Sequence, residues 1–356
     1  MRHVIPEFSI LFAQSSYIAT RCVGLLLVLT LASCALTSGQ KKAISTFAAA
    51  TSTLSTSISN NLPEMRRRVA EMNTQWIAIT NTPDPGEPDP NRALPHIYKV
   101  LTTHGTDTTA FSSDNVALRI QAAETLHEYG NLLNQLSTSD QSAALKSSAT
   151  AFENSVKALQ TSAKCQILNS SQLDDVGVAV RAVGGLVVEW KRKKAVKEAV
   201  SQGKTLLPQL VFLLKNDFNV KGTGLAQGFA VSDNRLLTKA DELLNPREQS
   251  FTCPPDPRIQ TPTHAASGLS LQQQLACSQE FLQRPILVRS YRLAQQNHEW
   301  LKATAPSTLT ALSKIDSAHQ VIVDSLSQPT ISFDTVTDFY DSVQELLGQA
   351  KAISGK

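Results

Sequence analysis

Two dipeptides, His127-Glu128 and His298-Glu299, begin as a zinc-protease helix begins, with an imidazole beside a carboxylate able to act as general base. That chemistry needs a second histidine one helical turn on, so that two rings reach one ion. Asn131 and Lys302 stand there instead, and both pairs read as ordinary helix residues, exposed or half-buried. His96 and His104 are eight apart, which permits a shared helix face. Two imidazoles without a nearby thiolate or carboxylate still fall short of a zinc ligand set. Asp84, Glu87 and Asp89 lie in a proline-rich stretch, TPDPGEPDPNRALP at 82–95. It lacks the ligand spacing and closing Glu of a calcium loop and reads as a solvated linker. The glycine-rich loop KGTGLAQG at 221–228 is neither G-x-G-x-x-G nor a loop ending in Gly-Lys-Ser/Thr. It follows a helical pattern where a phosphate cradle needs a strand, so it reads as an interhelix turn. No G-x-S-x-G elbow occurs, nor an S-x-x-K with its partner motifs. The expectation is a non-enzyme with no cofactor and no metal.

The segment with a chemical destination lies near the start. Arg21 precedes a leucine-rich run at 23–31, which ends in the small residues Ala32 and Ser33 before Cys34. Charge, apolar run, small residues is the order of a secretory signal. The apolar stretch at 22–36 falls short of the roughly 20 residues that span a bilayer. The residues Leu31-Ala32-Ser33-Cys34 resemble the lipobox of bacterial lipoproteins. The resemblance implies cleavage before Cys34, acylation of its thiol, and three lipid chains in all. One chain binds a membrane only marginally, whereas two or more hold it stably. A plain cleaved signal that releases the protein is the competing reading. Position 35 is Ala35, not the Asp that resembles an inner-membrane retention signal in enteric lipoproteins. The implied address is therefore the outer membrane, facing the periplasm, ahead of the inner membrane or cell surface. The region before Arg21 is long, with Glu7 and a second apolar patch at 8–12, which leaves room for a true start downstream of Met1.

Removing residues 1–33 takes away two arginines and one glutamate and moves the net charge from +3 to +2. Such balance argues against a nucleic-acid partner, which calls for a basic stripe. A hydrophobic content of 42% supports a core, and an aromatic content of only 6% suits Ala/Leu-packed helices better than a β-sandwich. Cys165, Cys253 and Cys277 remain in the mature chain. An oxidising envelope permits a disulfide. Cys253, in a proline-rich loop, and Cys277, in a helical stretch, are the expected pair. Their bridge closes a loop of about 25 residues and contributes on the order of 3 kcal/mol. Cys165 is left as a thiol, and no C-x-x-C occurs.

Helical periodicity organises the rest. Ile44, Phe47, Thr51, Leu54 and Ile58 form one stripe, and Met65, Val69, Met72, Trp76 and Ile79 a second, with Pro63 starting a helix or kinking a longer one. The basic run Arg66-Arg67-Arg68 is expected to point off that face. Leu118, Ala122, Leu126, Tyr129, Leu133 and Leu136, then Leu145, Ala149, Phe152, Val156, Leu159 and Ala163, flank a short polar turn. They predict an antiparallel αα-hairpin, with Gly130 permitting a close neighbour. Ser171 with Asp174 resembles a capping box for a long helix, apolar over 176–190 and basic after it, with Gly203 as its cap. A strand over its β-branched part stays open. Pro208 is expected to open the next helix and Ser232 to cap another ending before Pro246. Further helices are predicted from Ser270 to Trp300 with a break near Pro285, from Ser307 to Leu326, and from Ser332 to about Ala352. The last carries Val336, Tyr340, Val343, Leu347 and Ala350 on its stripe.

The predicted organisation is a lipoprotein signal at 1–33, a tether at 34–42, and an all-α antiparallel bundle at 43–356 with long Pro-rich loops. An elongated form and a division near 167–170 or 246–268 stay open. The predicted function is a lipid-anchored, non-catalytic envelope protein acting by protein contact. Its partners are the membrane, through Cys34, and another envelope protein. A lipid- or peptide-binding helical module and an envelope enzyme with an unrecognised site are the alternatives. The patch singled out is Trp190, Lys191, Arg192, Lys193 and Lys194, where aromatic and cationic groups suit an anionic partner or headgroup surface. A solvated helix end competes with that reading.

Overall fold

The computed structural model describes residues 35–80, 111–139, 142–163, 189–244, 271–328 and 331–354. Among them are seven helices and no strand: α1 (Ser38–Thr80), α2 (Ser113–Thr138), α3 (Ser142–Ala163), α4 (Glu189–Phe218), α5 (Leu225–Leu244), α6 (Leu271–Ser325) and α7 (Asp334–Ser354). The all-α expectation holds. Both possible division points lie outside the described residues, as do the loop at 82–95 and the apolar residues at 176–188.

The two longest helices, α1 and α6, run antiparallel. Gln40 of α1 donates from its side chain to the carbonyl of Ser325. Farther along, Arg68 meets Asn297 at 2.7 Å and Ser290 donates to Gln75 at 3.0 Å. Residue numbers rise along α1 as they fall along α6. Helix α2 returns antiparallel to α1, with Ser52 Oγ 2.8 Å from His127 Nδ1 and Ser45 Oγ 3.2 Å from Asn134 Oδ1. Helix α3 folds back on α2 through the Ser155 to Thr125 hydroxyl bond at 2.7 Å. Helix α4 runs antiparallel to α2, and α5 follows it along α6. Helix α7 packs on α6 and α1.

Aromatic groups from five helices meet at one level. Phe47 of α1 lies 5.7 Å from His319 of α6 and 5.6 Å from Phe339 of α7; Tyr129 of α2 lies 5.6 Å from Phe152 of α3. The predicted stripes of α1, α2 and, from Leu145 to Leu159, α3 face this core, with Trp76 and Leu118 half-buried against it. Several buried hydroxyls donate to carbonyls one helical turn back, as Thr304 and Thr308 do, whereas Thr51 Oγ1 has no hydrogen-bond partner. Thr51 and Ser55 are buried in α1, and the Ser55 hydroxyl donates to the Thr51 carbonyl at 2.7 Å. Gly130 has the role expected of it: a Cβ there would lie 2.9 Å from the backbone oxygen of Ala48.

Several helix boundaries differ from the sequence reading. Residues 38–42, expected as tether, form the first turn of α1. Thr37 and Gln40 cap it reciprocally, with side chain-to-amide bonds of 2.9 and 3.1 Å. Gly203 is not a cap and Pro208 does not open a helix, since α4 runs through both. Helix α6 runs through Pro285 and Pro306. A proline inside a helix costs about 3 kcal/mol through a lost bond and a clash with the preceding turn. Leu287 and Ala305 are buried beside these prolines, and their packing offsets part of that cost, although Ile286 stays exposed. Ser232 is inside α5 and donates to the Gly228 carbonyl at 2.9 Å. On α7 the buried seam is Val336, Phe339, Val343 and Leu346, spaced three, four, three, while Tyr340 is exposed. Tyr340 and Leu347 each follow a seam residue, Phe339 and Leu346, and a step of one residue turns a side chain by about 100° toward the flank.

Candidate functional site

Cys34 lies outside the described residues, with three residues between it and Ser38. Leu36 is buried, Thr37 caps α1, and α1 starts at Ser38. The basic residues Lys191, Arg192, Lys193 and Lys194, with Trp190, occupy the first turns of α4. The Arg192 guanidinium donates to the Ser139 carbonyl at 2.9 Å, in the turn between α2 and α3. Lys194 is exposed, 3.9 Å from Glu198. Cys277 falls within α6, whereas Cys253 lies outside the described residues, so their pairing is not described. His96 and His104 also lie outside them.

The glycine-rich loop is a helix-to-helix turn. A Cβ on Gly224 would fall 2.6 Å from the Asp217 Cα, so the glycine allows α4 to close onto the start of α5. Of the two His-Glu pairs, His127 is half-buried on Ser52, and His298 contacts Asp233. Among the described residues no group of three His, Cys, Asp or Glu could hold a metal ion.

Sequence reasoning missed the buried polar groups. Tyr129 and His319 share a 2.7 Å hydrogen bond in the core. Burial, helped by Lys204, lowers the His319 imidazole to about 4 and raises the Tyr129 phenol. Arg119 of α2 reaches Asp217 of α4 at 2.7 Å; burial still holds the Asp217 carboxyl above its usual range against the pull of Arg119. Arg68, expected off the core face, turns toward α6 instead. Its guanidinium stacks 5.0 Å from the Trp300 ring and bonds Asn297, because Glu64 holds the Nε at 2.7 Å. Arg67 alone projects fully outward, paired with Glu64 and Glu71. Arg67 aside, these groups lie on or beside apolar seams, as His319 does between Ile315 and Ile322. A polar residue at a seam position is the signal that could have found them.

Asp233 is 1% exposed, and neither of its oxygens has a hydrogen-bond partner. Its near neighbour is His298 Nδ1 at 3.4 Å, and that ring is 57% exposed. Burial raises the carboxyl to about 6, against the opposing pull of His298. A carboxyl raised in the folded state stabilises when protonated. That contribution is complete below about 3.8 and is lost as pH climbs through about 6. Asp233→Asn is therefore expected to stabilise the protein by about 2 kcal/mol at pH 7.5 and to leave it unchanged near pH 4. Urea midpoints at the two pH values check this, and equal differences at both would refute it.

Two open grooves lie beside in-helix prolines. One of about 420 Å³ lies between α1 and α2 and includes Pro63, Arg66, Val116 and Ile120. One of about 380 Å³ lies between α6 and α7 and includes Pro306, Lys302, Ser307 and Glu345. Neither takes in Tyr129, His319, Arg119, Asp217 or Asp233. No helix among the described residues is long and apolar enough to cross a membrane. Comparison with protein-family models, curated proteins and solved structures finds no match.

Proposed function

We infer that this is a lipid-anchored, non-catalytic protein of the bacterial envelope, held at the outer membrane through Cys34 and working through contact with another envelope protein. The carrying observation is the Leu31-Ala32-Ser33-Cys34 sequence placed directly against the start of the fold. Only three residues separate Cys34 from Ser38, and Leu36 is already buried. Cleavage before Cys34 would leave the acylated residue four positions from the first residue of α1. The buried titratable groups support a structural role, because each bridges two helices and none lines either groove.

Mass spectrometry of the mature N-terminus is expected to find a triacylated Cys34, with the chain in the outer-membrane fraction. Cys34→Ala is expected to accumulate as uncleaved precursor. A mature chain with an unmodified N-terminus at any other position would overturn the reading.

A further inference from the structure

We propose that the basic start of α4 is the membrane-facing edge of the bundle, seated on anionic lipid headgroups beside the anchor. The proposal rests on the acylation of Cys34 inferred above. In sequence the two features are far apart, and the fold alone brings them to one end. Cys34 leads within four residues into the start of α1. Helix α2 is antiparallel to α1, so its last residues return to that end, Asn134 lying beside Ser45. Helix α4 begins there as well: Arg192 is bonded to Ser139, just past the end of α2, and Gly203 packs against Tyr129 farther in.

The end of the bundle at which a charge sits decides whether it can feel a membrane. Helix α1 has 43 residues and is about 65 Å long. Electrostatic attraction to a charged surface fades over a Debye length of about 8 Å at physiological salt. Charges at the far end of such a bundle are out of range, and those in the first turns of α4 are within it. Lys194 and Lys197 are exposed there, and Lys42 and Lys146 are exposed in the first turns of α1 and α3. The Lys194–Glu198 pair is long and solvent-exposed, of the kind that contributes little and yields readily to a denser anionic surface. Asp324 and Asp334, on α6 and α7, are also exposed at this end, two carboxylates against the four lysines. These exposed cations outnumber the exposed carboxylates, and the bundle rests on this end. Helix dipole effects do not account for the cations, which sit in the first turns of α4 and not the last.

The test uses the lipidated full-length protein in two kinds of vesicle: phosphatidylcholine alone, and phosphatidylcholine with 30 mol% phosphatidylglycerol as an arbitrary anionic fraction, about 30%. Lysines are acetylated briefly and the extent is read by mass spectrometry. Lys194, Lys197 and Lys146 are expected to be labelled at least about fivefold more slowly on the anionic vesicles. That difference should vanish in high salt. Lys221, exposed about 36 Å farther along the axis of α4, should label equally on both. A Lys194→Gln, Lys197→Gln double variant changes exposed residues and should fold. It is expected to lose the protection of Lys146. Equal labelling on both vesicles, with Cys34 acylated and the protein sedimenting with lipid, overturns the proposal and leaves the anchor intact. Protection that appears only with an added envelope protein also overturns it. A chain that is unacylated and stays off both vesicles overturns the anchor reading and this one together.

Discussion

Arg119→Ala is expected to cost about 3–5 kcal/mol of stability at pH 7, the loss typical of stranding one member of a buried ion pair. Asp217 has no exposed side-chain surface, and Arg119 Nε lies 2.7 Å from its carboxylate. The guanidinium is also fixed by the Asn115 carbonyl at 3.0 Å, so it is positioned before it meets its partner. Burial already holds the Asp217 carboxyl above its ordinary value with the arginine present. Without it, the carboxyl takes up a proton at higher pH. For a carboxyl raised in the folded state, stability is present at low pH and lost as pH rises. The deficit of the variant should therefore shrink on acidification toward pH 4. Adding Asp217→Asn in the Arg119→Ala background should recover most of the loss at pH 7. Denaturant unfolding of the three proteins at both pH values measures this. A cost below about 1 kcal/mol, or a double variant no better than the single one, would mean the pair is not what holds α2 to α4.

Gly203→Ala carries the second largest expected effect, about 3 kcal/mol destabilising, although alanine is the better helix former by about 1 kcal/mol. The added methyl would lie 2.7 Å from Tyr129 Cζ and 2.8 Å from His319 Nε2, and it would overlap the Tyr129 hydroxyl. Tyr129 is fully buried and packed on Phe152, so it has nowhere to retreat except by giving up its bond to His319. Gly348→Ala on α7 is the internal comparison, because nothing lies within 4 Å of its Cβ position. That change should stabilise by up to about 1 kcal/mol. Thermal unfolding of both variants gives the contrast. If the two shift in the same direction, close packing at Gly203 is not the reason for the glycine.

The same glycine shows where the sequence was legible and where it was not. Stripes such as Ile44, Phe47, Leu54 and Ile58 repeat every three or four residues, and that period is a local property of the chain. The αα-hairpin followed from two such stripes and a short turn. Gly203, Pro208, Pro285 and Pro306 are equally local signals, and each pointed to a boundary that tertiary packing overrides. The glycine after an apolar run resembles a cap until Tyr129 and His319 are seen against it. The placement of the basic group beside the start of α1 could not be read at all, because it depends on the directions of α1, α2 and α4 together. Asp233 and Asp217 were hidden for a related reason. A single carboxylate on a helix looks exposed until the neighbouring helix is in place.

The pairing of α1 with α6 and α7 sets the order in which this chain can fold. Gln40 bonds to the carbonyl of a residue 285 positions later, and Phe47 packs on Phe339. Among the described residues, the first helix is therefore completed by the last two. Until those emerge, Ile44, Phe47, Leu54 and Ile58 lack the cover that α6 and α7 give to α1. Long-range closure of this kind slows folding and leaves apolar surface open to misassembly. A chain delivered N-terminus first must hold its own beginning in waiting until its end arrives.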